Sequence, residues 1–150
     1  MAVEFKVATE AAIEPAVLAA FFADAIGGDA DDEATVFRDG MYVTSRSVPE
    51  DDMIAALGFD QKTRATFRFA NLASEATEDH NTALMVGAVI GLFDRFGGRG
   101  LLLFNGERVV AERVDGELVF ADDWADWLTG DEVAAVVAER PVRKLTQILL

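Results

Sequence analysis

The sequence contains no cysteine and only one histidine, His80. The first absence excludes disulfide bonds, thiolate nucleophiles and cysteine metal sites. A lone histidine also leaves little for acid–base catalysis, because a general base needs a partner that orients it. Glu78 and Asp79 are near in sequence but do not share its helical face, so we interpret His80 as structural. We predict no catalytic residue, no cofactor and no metal site.

Basic residues are scarce, with 13 Lys and Arg against 27 Asp and Glu, and the formal net charge is -14. They do not cluster along the sequence, where the densest group is Arg140, Arg143 and Lys144. A surface this negative repels nucleic acid and anionic membranes and attracts cationic partners over long distances. The composition therefore argues against nucleic-acid and membrane binding, and it favours binding to a basic protein.

Long hydrophobic runs are also missing. The longest apolar run, Ala83–Phe93, has eleven residues, whereas a membrane span needs about 20. The first nine residues lack the basic region and apolar stretch of a secretory signal, so we expect a cytoplasmic protein. A chain of 150 residues that is 51% hydrophobic is expected to form one domain over residues 1–150 with its own core.

Hairpin turns are the clearest local signals, because Gly in an Asn-Gly or Asp-Gly pair adopts positive φ freely. Such pairs occur at Asp39-Gly40, Asn105-Gly106 and Asp115-Gly116. The last two predict a three-stranded antiparallel meander from about residue 100 to residue 120. Alternating apolar residues predict further strands at residues 3–7 and 66–70.

Apolar residues at helical spacing predict three helices, over about residues 15–26, 75–96 and 131–140. Hairpins mixed with helices, rather than a strict β-α-β alternation, indicate the α+β class. The predicted fold is a single, mainly antiparallel sheet of five to seven strands that ends in a C-terminal three-stranded meander. Two or three helices are expected to cover this sheet.

Three acidic segments are the candidate partner-binding surfaces. Their residues are Asp29, Asp31, Asp32 and Glu33; Glu50, Asp51 and Asp52; and Asp122, Asp123 and Asp126, with Trp124 among the last. An EF-hand loop that began at Asp29 would need Gly at its sixth position and Glu at its twelfth. Ala34 and Gly40 stand there, so a calcium site is not expected. Trp124 could anchor a partner, since interface hot spots favour Trp.

The predicted meander resembles that of the Sit-type immunity proteins, which belong to bacterial swarming-inhibition toxin–immunity systems. The resemblance rests on residues 101–107 (LLLFNGE), on Val109-Val110 and on residues 113–119 (RVDGELV). The order of the preceding strands and helices is similar too. Membership would imply a protein that binds and neutralises a cognate toxin, with no catalytic residues.

Two other functions remain open from the sequence. The first is an acidic adaptor or oligomerisation module, which a dimer interface well above about 1,000 Å² would favour. The second is a small-molecule-binding or enzymatic α+β domain, which a deep pocket with inward-facing carboxylates would favour. We expect the immunity role, with steric occlusion of a basic toxin as its mechanism.

Overall fold

The computed structural model describes residues 3–47, 53–54, 59–70, 74–105, 108–124, 131–138 and 140–145. The strands are β1 (Val3–Thr9), β2 (Asp29–Ala30), β3 (Thr35–Arg38), β4 (Met41–Ser47), β5 (Met53–Ile54), β6 (Phe59–Asp60), β7 (Thr63–Phe69), β8 (Gly100–Phe104), β9 (Arg108–Val114), β10 (Glu117–Ala121) and β11 (Val142–Arg143). The helices are α1 (Pro15–Ile26), α2 (Glu75–Phe96) and α3 (Asp131–Val137).

The main sheet has the strand order β11-β10-β9-β8-β1-β7-β4-β3-β2 within the described residues. All its neighbours are antiparallel except β10 and β11. The α+β class, the mainly antiparallel sheet and the β8-β9-β10 meander are therefore confirmed. The sheet has nine strands rather than five to seven, because β2 and β11 are two-residue edge strands. Strands this short show no alternation.

Two of the predicted turns, Asp39-Gly40 and Asp115-Gly116, form where the sequence places them, and Gly106 of the third lies outside the described residues. Gly40 and Gly116 have φ of 81° and 79°, and Asn105 and Asp115 adopt φ of 50° and 54°. Only small side chains that bond locally, and glycine, accept this left-handed region without strain. The β3–β4 and β9–β10 hairpins therefore close with two-residue turns. Arg38 pairs with Met41 in the first hairpin, and Val114 pairs with Glu117 in the second.

The helices also follow local signals. Pro15 starts α1, and Gly27 ends it with a left-handed φ of 67°. Ser74 caps α2 by accepting a hydrogen bond from the Thr77 amide at 3.2 Å, as Ser does at helix starts. The third helix ends at Val137, earlier than the predicted end at about residue 140.

One face of the main sheet carries the hydrophobic core. The three helices in the described part of the chain pack on this face, and their contribution to the core includes Phe22, Met85, Val89 and Val133. The opposite face has a smaller apolar cluster, in which the fully buried Phe59 contacts the strand residues Ala8, Leu101, Leu103 and Val109. The rest of that face is mostly polar. It lies over β3, β4, β7 and the Glu4–Lys6 part of β1, and we call it the open sheet face.

Replacing Phe22 with Ala should lower the free energy of unfolding by about 3–5 kcal/mol, as for other buried aromatic residues. Phe22 is fully buried, and its ring meets that of Phe67 edge to face at 5.2 Å, so the change opens a cavity between α1 and the sheet. Urea unfolding measures the effect. Val17→Ala is the control, because Val17 is 45% exposed on the same helix. A Phe22→Ala effect no larger than the control's would contradict this packing.

Candidate partner-binding surface

The first acidic segment comprises the short strand β2 and the tight turn that joins it to β3, and we call residues 29–34 the acidic loop. One carboxylate oxygen of Asp31 accepts hydrogen bonds from the amides of Glu33, at 2.8 Å, and Thr35, at 3.0 Å. The Asp31 amide donates to the Thr35 carbonyl at 2.8 Å. Ala34 takes a left-handed φ of 61° to complete the turn. Asp31 therefore shapes the loop.

The other carboxylates of the acidic loop make no ion pair or hydrogen bond within the part of the chain that the structure describes. Asp29, Asp32 and Glu33 are exposed, and none of them forms an ion pair with any other described residue. The nearby Arg46 donates to the backbone carbonyl of Glu33 at 3.1 Å, not to its carboxylate. The loop thus carries negative charges that an incoming cation can pair with directly.

A cleft of about 400 Å³ separates the acidic loop from the first two turns of α1. Ala16, Ala19 and Ala20 line its helix side, and Ser45 and Arg46 of β4 also contribute to its wall. Ser45 is 1% exposed, and its hydroxyl oxygen has no hydrogen-bond partner among the described residues. The sequence prediction missed this cleft. The only signal was the spacing of the three alanines, which places them on one helix face.

The third acidic segment lies at the other side of the sheet, at the end of β10. Asp122 and Asp123 are exposed, but Asp123 forms an ion pair with Arg108 at 2.8 Å. Another ion pair joins Arg143 of the edge strand β11 to Glu117 of β10. Six strands separate β10 from β2 in the sheet order. The structure therefore does not bring the first and third segments together.

Trp124 is half-buried rather than presented to solvent. Its ring lies 4.6 Å from that of Phe104, and the Arg108 guanidinium sits 5.4 Å from the Trp124 ring. These contacts hold it against the edge of the core. The remaining predicted residues, Glu50, Asp51, Asp52 and Asp126, lie outside the described residues.

His80 has a partner that the sequence did not reveal. Its Nδ1 lies 2.7 Å from a carboxylate oxygen of Glu132 in α3, and both side chains are about half exposed. The contact joins two helices across 52 residues of chain, a separation at which no local pattern indicates pairing. Among the described residues, no group of three His, Cys, Asp or Glu side chains could hold a metal ion.

The open sheet face gathers positive charge in an otherwise acidic protein. Lys6, Arg46, Arg64 and Arg68 alternate with core residues along β1, β4 and β7, and so they point away from the helices. Phe37, which is 50% exposed, lies beside Tyr42 with the ring centroids 5.9 Å apart. The negative charge of the chain is therefore concentrated elsewhere.

Glu4 is the acidic residue of the open sheet face. It pairs with Arg68 at 2.8 Å and with Lys6 at 3.4 Å. Burial acts to raise the pKa of Glu4, but the hydrogen bond from Arg68 and the charge of Lys6 outweigh it, and the pKa lies below its usual value. The charged form of Glu4 therefore stabilises the pairing of β1 with β7.

A family model described as SitI3-like matches residues 3–131, from β1 to the first residue of α3. The chain belongs to the SitI3-like family. The Sit family is an immunity-protein family, so the resemblance seen in the meander is confirmed, and an immunity role in general follows. The match includes both described acidic segments. No curated protein and no solved structure matches the chain.

The described helices are too short or too polar to cross a membrane. The longest of them, α2, has 22 residues, but its first turns are charged.

Replacing Glu4 with Gln should flatten the acid side of the stability profile. Because the pKa of Glu4 is lowered on folding, its stabilisation is present above the ordinary glutamate pKa and is lost as pH falls through the folded value. The variant should therefore be less stable than wild type near neutral pH, and the difference should shrink as pH falls below the ordinary glutamate pKa. Urea unfolding across this range measures the difference.

Asp24→Asn is the control, because it removes one exposed negative charge from α1, and no described residue pairs with Asp24. A Glu4→Gln profile parallel to that of wild type would show that the contacts with Arg68 and Lys6 contribute nothing to folding.

Proposed function

We propose that this protein is a cytoplasmic immunity protein that binds and neutralises a cognate antibacterial toxin through the acidic loop. It acts by occluding the toxin and turns over no substrate. Family membership supports the immunity role, and the unpaired carboxylates of Asp29, Asp32 and Glu33 are the observation that carries the choice of surface.

The charge of the chain supports a basic toxin as the partner. A toxin that acts on nucleic acid needs a basic cleft to hold phosphates. A protein of net charge -14 is attracted to such a cleft, and complementary charge can raise association rates to about 10⁸–10⁹ M⁻¹s⁻¹ at low salt. Rapid capture suits a protein that must bind its toxin before the toxin meets its target.

The state of the carboxylates favours the acidic loop over the third segment. A partner that binds at Asp123 competes with the existing ion pair to Arg108, and much of Trp124 is already committed to internal packing. The carboxylates of Asp32 and Glu33 can pair with a partner without breaking any contact of the described residues. The mutual repulsion of these charges in the free protein also falls when a cation binds.

The function is tested by co-expression with candidate toxins, which are the products of genes adjacent to the gene for this chain. We expect one of them to arrest growth when it is expressed alone and to be harmless when this protein is present. The two proteins should then purify as a stoichiometric complex that dissociates as salt is raised. Growth arrest that persists with every candidate, despite soluble immunity protein, would overturn the proposal.

Neutralising the acidic loop should slow capture of the toxin. The triple change Asp29→Asn, Asp32→Asn and Glu33→Gln leaves Asp31 to hold the turn, and we expect an association rate about tenfold lower at low salt, with a shallower dependence on salt. Stopped-flow fluorescence measures both.

The comparison variant changes Asp122, Asp123 and Asp126 to Asn, which removes the same charge from the third segment. We expect a smaller effect from it. A larger effect would place the toxin on the β10 side of the sheet and contradict the choice of the acidic loop.

A further inference from the structure

The cleft between α1 and the acidic loop combines three features that suit a ligand. Its helix side is apolar, because Ala16, Ala19 and Ala20 line it. Its rim is acidic, because Asp32 and Glu33 stand at its edge. Its volume of about 400 Å³ falls in the range of ligand pockets, about 300–1,000 Å³.

Ser45 supplies a separate indication that something binds there. Ser45 is only 1% exposed, and its hydroxyl oxygen has no hydrogen-bond partner among the described residues. Buried polar groups are nearly always hydrogen bonded, and each exception calls for an explanation. A donor that reaches this hydroxyl from the cleft would satisfy a group that the described residues leave unpaired.

Among the described residues that line the cleft, the one cation is Arg46, whose side chain leaves β4 on the open sheet face and is held there by hydrogen bonds. It donates to the Glu33 carbonyl at 3.1 Å and to the Ser45 carbonyl at 2.8 Å. These bonds fix its position without using the carboxylates of Asp31, Asp32 or Glu33. Three negative groups against one positive group leave the rim attractive to a further cation.

We propose that this cleft binds a Lys or Arg side chain of the toxin. The rim carboxylates and the Ser45 hydroxyl all present hydrogen-bond acceptors. An ammonium or guanidinium group can satisfy them with its several donors. The aliphatic stem of the same side chain packs against apolar surface while its charged head stays polar, and the alanine wall suits that stem. The inference rests on the proposed function and adds to it the chemistry of one anchor residue.

A direct test titrates N-acetyl-arginine amide, as the probe, into the wild-type protein. Changes in the ¹H–¹⁵N chemical shifts of the backbone amides report its binding. We expect saturable shifts in the amides of residues 30–34 and 45–46. N-acetyl-norleucine amide, which has a similar stem and no charge, should leave these amides unchanged. Equal amide shifts with both probes would overturn the proposal. So would amide shifts spread over acidic residues all around the surface.

Two variants should abolish the response to the arginine probe. Ala20→Trp fills the apolar side of the cleft without a change of charge, and Asp32→Asn with Glu33→Gln removes the rim charge. The matched control, Asp24→Asn with Asp79→Asn, removes two exposed helix carboxylates elsewhere and should retain the response. Persistence of the response in Ala20→Trp would show that the probe binds outside the cleft.

Toxin protection then separates this inference from the proposed function. We expect folded Ala20→Trp, verified by circular dichroism and melting temperature, to bind the toxin at least tenfold more weakly than wild type. If both proteins protect and bind equally, the cleft is not the anchor site and the proposed function stands. If wild type protects against no candidate, the proposed function is overturned, and with it the toxin as the source of the cation.

Discussion

The packing of α1 against β3 and β4 is the interaction on which the candidate site depends. Leu18, Phe22 and Ile26 are buried on the sheet side of the helix, and this leaves its alanine face turned toward the acidic loop. Gly28 then lets the chain pass close to β3, because a Cβ there would lie 2.7 Å from the Phe37 carbonyl oxygen. A larger residue would push β2 outward and open the cleft. The hydrophobic core thus sets the distance between an apolar wall and an acidic rim.

Charge is distributed over the molecule in a way that its net value hides. The open sheet face carries Arg46, Arg64 and Arg68. On the β10 side, Asp123 forms an ion pair with Arg108. The carboxylates of the acidic loop form no ion pair with any other described residue. Repulsion within the loop costs folding energy that an ion pair would have avoided. An acidic cluster without ion pairs among the described residues therefore supports the proposal that this loop binds a partner.

Local signals were sufficient for most of the fold. Pro15 and Gly27 bound α1, Ser74 starts α2, and the Gly of each described turn adopts the backbone angle that the sequence predicts. Contacts distant in sequence were not accessible in this way. Glu132 reaches His80 across 52 residues, and Ser45 meets the acidic loop only because β4 pairs beside β3. The acidic loop was predicted from composition, whereas its cleft required the sheet order and the position of α1.

Hydrogen exchange of the protein, free and in complex with its toxin, tests the central claim most directly, because it reports every backbone amide in one experiment. We expect binding to slow exchange in residues 29–35 and in the first two turns of α1, with little change in β10 or on the open sheet face. Protection confined to residues 117–124, or to β4 and β7 with the acidic loop unaffected, would contradict it.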